Sequence, residues 1–236
     1  MRRWRLDTTA RPAVIVEISE PAPASVRASV PAAPAAARDM FGDSLAGAVR
    51  YAGLLAGPGV DRGLVGPHEV PRLWDRHLLN SAAVAELVPR PCSLTDLGSG
   101  AGLPGIALSL MLPDCQITLL EPMLRRTVFL EECIAALGLA NATVLRGRAE
   151  DLAGKMAADV VAARAVAPLA QLAPLALGLV RPGGTVLAIK GTRAAQEVAD
   201  ARQALRSLGV REVDVLRAGE GKVDPAATVV RLIAPG

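Results

Sequence analysis

Residues 96 to 105 read DLGSGAGLPG, and four glycines within ten positions leave few folds open to the chain around them. Such a run turns sharply from the end of a β-strand into a helix and lets the backbone approach a ligand without Cβ clashes. Read from Gly100, GAGLPG has the Gly-x-Gly-x-x-Gly spacing of a dinucleotide cradle, in which a pyrophosphate rests on helix amides. Read from Asp96, the same turn starts with a carboxylate, which would repel two phosphates and attract a cation. The acid therefore favours a positively charged ligand over a pyrophosphate, with Gly98, Gly100 and Gly102 admitting it and the helix amides after Leu103 open to any carboxylate that it carries.

The chain on either side supports a parallel sheet. After Pro91, short apolar runs alternate with helical segments. Seven strands are expected: CSLTDLG ending at Gly98, QITLLE ending at Glu121, ATVLRG around Val144, ADVVAA before Arg164, GTVLAIK ending at Lys190, REVDVLR around Val213 and ATVVRLI near the end. AGEGKVDPA, between the last two, is too short for a helical crossover, so these strands should form an antiparallel hairpin. Leu130, Ile134 and Leu137 mark one connecting helix, stopped by Gly138; Val198, Ala201, Leu205 and Leu208 mark another, stopped by Gly209. Upstream, Phe41, Leu45, Ala48, Ala52 and Leu55 lie on one helix face that should end at Gly57-Pro58-Gly59. A second helix runs from about Val70 with Leu73, Trp74, His77 and Leu78 on its apolar side. The expected plan is an Ala/Pro-rich leader over 1–38, read as disordered, a helical cap over 39–90 and an α/β core over 91–236.

Composition limits the chemistry. The 236 residues suit one main domain, and with 51% hydrophobic but 2% aromatic residues the core must be aliphatic. Base stacking on aromatic rings has few platforms here, so any nucleic-acid contact falls to Arg and Lys. The formal charge of +3 permits a polyanionic partner without requiring one. Three cysteines without Cys-x-x-Cys spacing and two histidines suggest neither a disulfide framework nor a metal site. No stretch reads as a signal peptide or bilayer span, so a cytoplasmic protein without membrane contact is expected.

DLGSGAGLPG, LLEPMLRR, RGRAEDL, ARAVAPL and LAIKG occur in an order that resembles the RsmG (GidB) family of bacterial methyltransferases, over roughly residues 40 to 235. The chain departs from many members before the cradle, reading LLAGPGVDRGLVGP where they carry an aromatic-Asn-Leu-Thr stretch. The resemblance implies a Rossmann-like S-adenosylmethionine (SAM) methyltransferase fold with a seven-stranded, mostly parallel sheet. It also implies transfer of a methyl group to N7 of a guanine in 16S rRNA, free or in a small-subunit particle. A small-molecule SAM methyltransferase is the alternative. Cofactor contacts are expected from Asp96, Gly98, Gly100, Gly102, Leu103, Glu121, Ala149, Glu150 and Arg164, with Glu121 accepting from the ribose hydroxyls and Asp96 attracting the ammonium. Ala149 and Glu150 match the family pair that flanks the adenine.

Several cations fall on one edge. Arg148, Arg164, Lys190 and Arg193 follow strands three to five, at the carboxyl edge where the cofactor lies, and Arg125 and Arg126 open the helix after Glu121. Together they are expected to bind RNA, with Arg164 and Lys190 positioning the substrate. Guanine N7 carries no proton, so the reaction needs no general base and the catalytic list is otherwise empty. A monomer acting without metal is expected.

Overall fold

The computed structural model describes residues 30–236. Alternation of buried side chains across each strand builds a sheet covered on both faces. In β4 (Ala158–Arg164), Val160 and Ala162 enter one core while Val161 and Ala163 enter the other, as period-two geometry requires. The other strands are β1 (Ser93–Leu97), β2 (Gln116–Glu121), β3 (Ala142–Arg146), β5 (Val180–Lys190), β6 (Glu212–Ala218) and β7 (Ala227–Ile233). They lie in the order β3-β2-β1-β4-β5-β7-β6. Strands β1 to β5 pair in parallel, and β7 runs antiparallel to both β5 and β6. All seven strands and the antiparallel hairpin match the sequence reading. The order reverses between β1 and β4, and in open α/β sheets ligands bind at such a point beyond the carboxyl ends of the strands.

Helices α4 (Gly105–Met111) and α5 (Leu124–Leu137) cover one face. Helices α6 (Ala149–Leu152), α7 (Leu169–Leu177) and α8 (Ala194–Ser207) cover the other. Gly138 takes the left-handed conformation at the end of α5 and Gly209 does so after α8, as their positions suggested.

The N-terminal helices pack into the same core as α4 and α5. Here the chain differs from expectation in two places. Helix α1 (Ala35–Phe41) begins inside the segment read as leader, and Trp74 Nε1 donates to Pro31 O at 2.9 Å; residues 1–29 of that segment lie outside the described residues. Helix α2 (Leu45–Leu54) does not stop at Gly57-Pro58-Gly59 but widens into a π-turn over Leu55–Gly59 and stays helical to Asp61. A π-turn shifts the hydrogen-bond register and so accommodates a proline that lacks an amide donor. A second π-turn, Leu73–Leu79, leads into α3 (Asn80–Ala82) and buries Leu73, Trp74 and Leu78.

Two buried groups join these layers at the glycine turn. Tyr51 on α2 is fully buried and donates its hydroxyl to Ala101 O at 2.7 Å. Asp96, 0% exposed at the end of β1, accepts the Gly105 amide at the start of α4 on Oδ2 at 2.9 Å. Its Oδ1 is buried without a partner, and burial pushes the carboxyl up to about 7. Folding therefore favours the protonated acid. The contribution is fully present below the ordinary aspartate value of 3.8 and is lost as pH rises to about 7.

Two outcomes follow for stability. Tyr51→Phe removes the partner of a buried carbonyl and should cost about 1–3 kcal/mol, read as a lower urea midpoint at unchanged m. Urea titrations from pH 4 to 8 should show Asp96→Asn gaining on the parent protein as pH rises, because the substituted side chain cannot ionise; parallel curves would contradict a protonated Asp96.

Candidate cofactor and substrate site

The glycine turn has committed nearly all its donors to the protein itself. Gly98 N and Ser99 N donate to Leu120 O, Gly102 N and Leu103 N to Ser99 O, and Ile106 N to Gly102 O. Gly105 N donates to Asp96, and Gly100 N donates to Glu121 Oε2 at 3.0 Å. A pyrophosphate needs such amides free, so the dinucleotide spacing is present without the dinucleotide chemistry. Close packing requires the glycines themselves. A Cβ on Gly102 would strike Ile106 and the Tyr51 hydroxyl, and one on Gly105 would strike Leu119 and Asp96. Gly98, at φ +71°, would bring a Cβ within 3.0 Å of Val166.

Three cavities meet beside this turn. A nucleoside-sized groove of about 320 Å³ is lined by Gly98, Glu121, Arg126, Arg148, Ala149 and Glu150. A cavity of about 290 Å³ lies on the cap side, against Gly98, Gly100, Leu103, Glu69, Arg126 and Arg164. The largest, about 750 Å³, lies between the cap and the ends of β4, β5 and β6, with Arg72, Arg76, Arg164, Lys190 and Arg217 among its walls. All three are lined by Ala165, which is the one non-glycine residue at positive φ (+53°) among the described residues.

Glu121, Ala149 and Glu150 thus share one groove as expected. Glu121 is only 1% exposed and already accepts Gly100 N and Met123 N, each at 3.0 Å, with Arg126 Nη1 at 3.5 Å. Arg126 Nε is buried and has no partner. A carboxylate braced by two amides and an arginine beside an apolar slot suits a ribose diol, and these residues fit a nucleoside bearing a cationic tail. Gly102 packs against the cap, and Asp96 lines none of the three cavities. An ammonium contact from Asp96 is therefore not what this geometry offers, because its carboxylate is spent beneath the turn.

Arg164 and Lys190 also differ from their expected roles. Arg164 Nη1 donates to Ser81 Oγ at 3.0 Å and His77 O at 3.3 Å, while Nη2 donates to Arg76 O at 3.0 Å and His77 Nδ1 at 2.7 Å. The guanidinium clamps the end of β4 to the cap. It has no lone pair, so His77 Nδ1 must accept, and the ring proton sits on Nε2, which donates to Glu69 Oε2 at 2.7 Å. Burial pushes the His77 pKa down, which keeps the ring neutral. Lys190, 8% exposed, donates to Ala167 O at 2.7 Å and pairs with Glu197 at 2.8 Å, so little of its charge is free for RNA. Arg125, Arg148 and Arg193 are exposed at the same edge.

Sequence reasoning missed Glu69, Tyr51, Arg72 and Arg217 as site residues. Arg217 was within reach: β6 runs parallel to β4 and β5, so its final turn faces the same carboxyl edge. Glu69 and Tyr51 had no local signal, because only the folding of the cap over the turn brings them there.

Residues 44–224 match the GidB family model, described as rRNA small subunit methyltransferase G. A relative from Thermobifida fusca named ribosomal RNA small subunit methyltransferase G is 57% identical, over 84% of this chain and 83% of its own. One of the same name from Pseudarthrobacter chlorophenolicus is 47% identical, over 84% of this chain and 92% of its own. Among solved structures, a SAM-dependent O-methyltransferase from Thermotoga maritima is similar at a TM-score of 0.53 and 14% identity, covering 66% of this chain and 64% of that one. A methyltransferase from Pyrococcus furiosus is similar at 0.51 and 14%, covering 65% and 80%. At these identities the structural likeness shows the fold, and the sequence matches show the family: the chain belongs to the GidB family of rRNA small subunit methyltransferases.

Proposed function

We propose that the chain transfers a methyl group from SAM to N7 of a guanine in 16S rRNA, free or in a small-subunit particle. The observation that carries this reading is the junction at Ala165, where a groove with a braced carboxylate opens onto a large arginine-walled cavity. Family membership supplies the substrate class.

Bound SAM would supply a methyl group activated by its sulfonium sulfur. The chain's residues do the rest by binding and alignment. Glu121 holds the ribose, Ala149 and Glu150 flank the base, and Gly98 lets the ligand cross the turn. On the substrate side, the exposed Arg72, Arg76 and Arg217 face a polyanion, Arg217 braced by Thr228 Oγ1 on β7 and Arg76 by Glu69, and phosphate contacts fix register without reading sequence. Arg164 and Lys190 shape this cavity by tying the cap to β4 and the 165–168 segment to α8. Both nitrogens of His77 are engaged, so it is unsuited to proton transfer, in keeping with an acceptor atom that has no proton to lose. Holding the nucleophile at attack distance supplies most of the acceleration. A target edge that must enter a cavity belongs to an unpaired, splayed base. The proposal takes the chain to act as a cytoplasmic monomer without metal. Separately, no helix among the described residues is long and apolar enough to cross a membrane.

Incubation with SAM and small-subunit rRNA, followed by nuclease digestion and mass spectrometry, should reveal one N7-methylguanosine per molecule; unmodified RNA would reject the proposal. Glu121→Ala should weaken binding of S-adenosylhomocysteine, the demethylated product, at least about tenfold in calorimetry. Replacing Arg72 and Arg217 together with alanine should leave that affinity intact while lowering kcat/KM on rRNA. The log–log salt dependence should also flatten, by about one unit for each phosphate contact removed.

A further inference from the structure

The burial of Asp96 leaves the amino-acid end of the ligand without the carboxylate assigned to it. Glu150 and Glu121 lie along the nucleoside groove, and that groove shares Gly98, Arg126 and Ala165 with the cap-side cavity. A ligand with its adenine at Ala149–Glu150 and its ribose at Glu121 must carry its tail across Gly98 into this second cavity. There Glu69 is the one carboxylate among the lining residues.

We infer that Glu69, delivered by the cap, receives the ammonium group of the SAM amino-acid tail and that the Arg164–His77 pair aims it. The inference rests on the SAM reading of the groove. The Glu69 contacts to His77 Nε2 at 2.7 Å and Arg76 Nε at 3.6 Å both fall on Oε2, so neither engages Oε1, and the residue lines the cap-side cavity. Its side chain is 32% exposed, in contrast to the sealed Asp96. The His77 hydrogen bond holds the Glu69 carboxyl below the usual glutamate range, so it is ionised at neutral pH. The guanidinium of Arg164 fixes the imidazole tautomer, and the imidazole Nε2–H fixes the carboxylate. This chain of contacts begins at the end of β4, next to Ala165, and ends beside the glycine turn, so docking of the cap and completion of the ligand site are one event. A cap segment that reads only as a packing helix in sequence thereby becomes part of the cofactor site.

Calorimetry with two ligands separates this role from a structural one. S-adenosylhomocysteine carries the ammonium; 5′-methylthioadenosine keeps the nucleoside and thioether but lacks the amino-acid tail. Glu69→Gln should weaken S-adenosylhomocysteine binding about tenfold or more and leave methylthioadenosine binding unchanged, since only a charge-assisted contact is lost. His77→Ala should shift the first affinity in the same direction by less, again sparing the second. Unchanged affinity for both ligands in Glu69→Gln would overturn the inference, as would an equal loss for both, which would mark Glu69 as a prop for the cap. Failure of the parent protein to bind either ligand would overturn the SAM reading itself and this inference with it.

Discussion

Two buried carboxylates at the ends of neighbouring strands hold the glycine turn, and the rest of the site depends on them. Asp96 grips the first amide of α4 and Glu121 grips Gly100 N, while carbonyls of the turn and of β2 take the other donors. Burying an ionisable acid with one oxygen unpartnered is costly, and the protein reduces that cost by favouring the neutral form of Asp96. The outcome is a rigid turn whose amides point into the fold. An anion finds little to bind there, whereas a nucleoside can lie across Gly98 with its ribose against Glu121. The class of ligand is thus decided by where hydrogen bonds are already spent, a feature that glycine spacing does not encode.

The cap supplies the other half of the site. Arg164 makes four hydrogen bonds to the stretch from Arg76 to Ser81, two of them to backbone carbonyls of the π-turn. A widened turn presents carbonyls that a regular helix would engage itself. The next residue, Ala165, occupies the left-handed region, which costs a residue with a Cβ about 1–3 kcal/mol. The strain sits where the three cavities meet. Four hydrogen bonds on one side and the Lys190 contact to Ala167 on the other over-determine this short segment, which makes it a firm boundary between the groove at Glu121 and the large arginine-walled cavity.

The sequence made the sheet legible because each strand alternates or runs apolar between clear turn residues, and because AGEGKVDPA is too short to cross over. Connecting helices were equally plain, ended by Gly138 and Gly209. Pro58 misled, since a proline after glycine normally stops a helix, and only packing of Leu55 and Ala56 into the core carries the chain through a π-turn. Position along a strand was enough to put Glu121 in a groove at the carboxyl edge and Arg125, Arg148 and Arg193 exposed on that edge. It did not show where the polar atoms of Asp96, Arg164 and Lys190 go: to Gly105 beneath the turn, to the cap more than eighty residues earlier, and to Ala167 and Glu197. Sequence position locates a side chain at the sheet edge; competition for its hydrogen bonds then determines whether it faces a ligand or the protein.

The same competition bears on the proposed choice of base. Guanine presents two acceptors, N7 and O6, on the edge that must face the methyl donor, whereas adenine pairs its N7 with an amino group. A cavity walled by Arg72, Arg76 and Arg217 offers donors and so suits the guanine edge, while an adenine amino group would meet like-signed partners. Arginines can also contact phosphates flanking a splayed base, so one set of cations can serve both attraction and discrimination. Neutralising Lys190 inside the protein fits this division: an internal ion pair with Glu197 holds the wall, and exposed arginines are left at its surface for the proposed RNA contact.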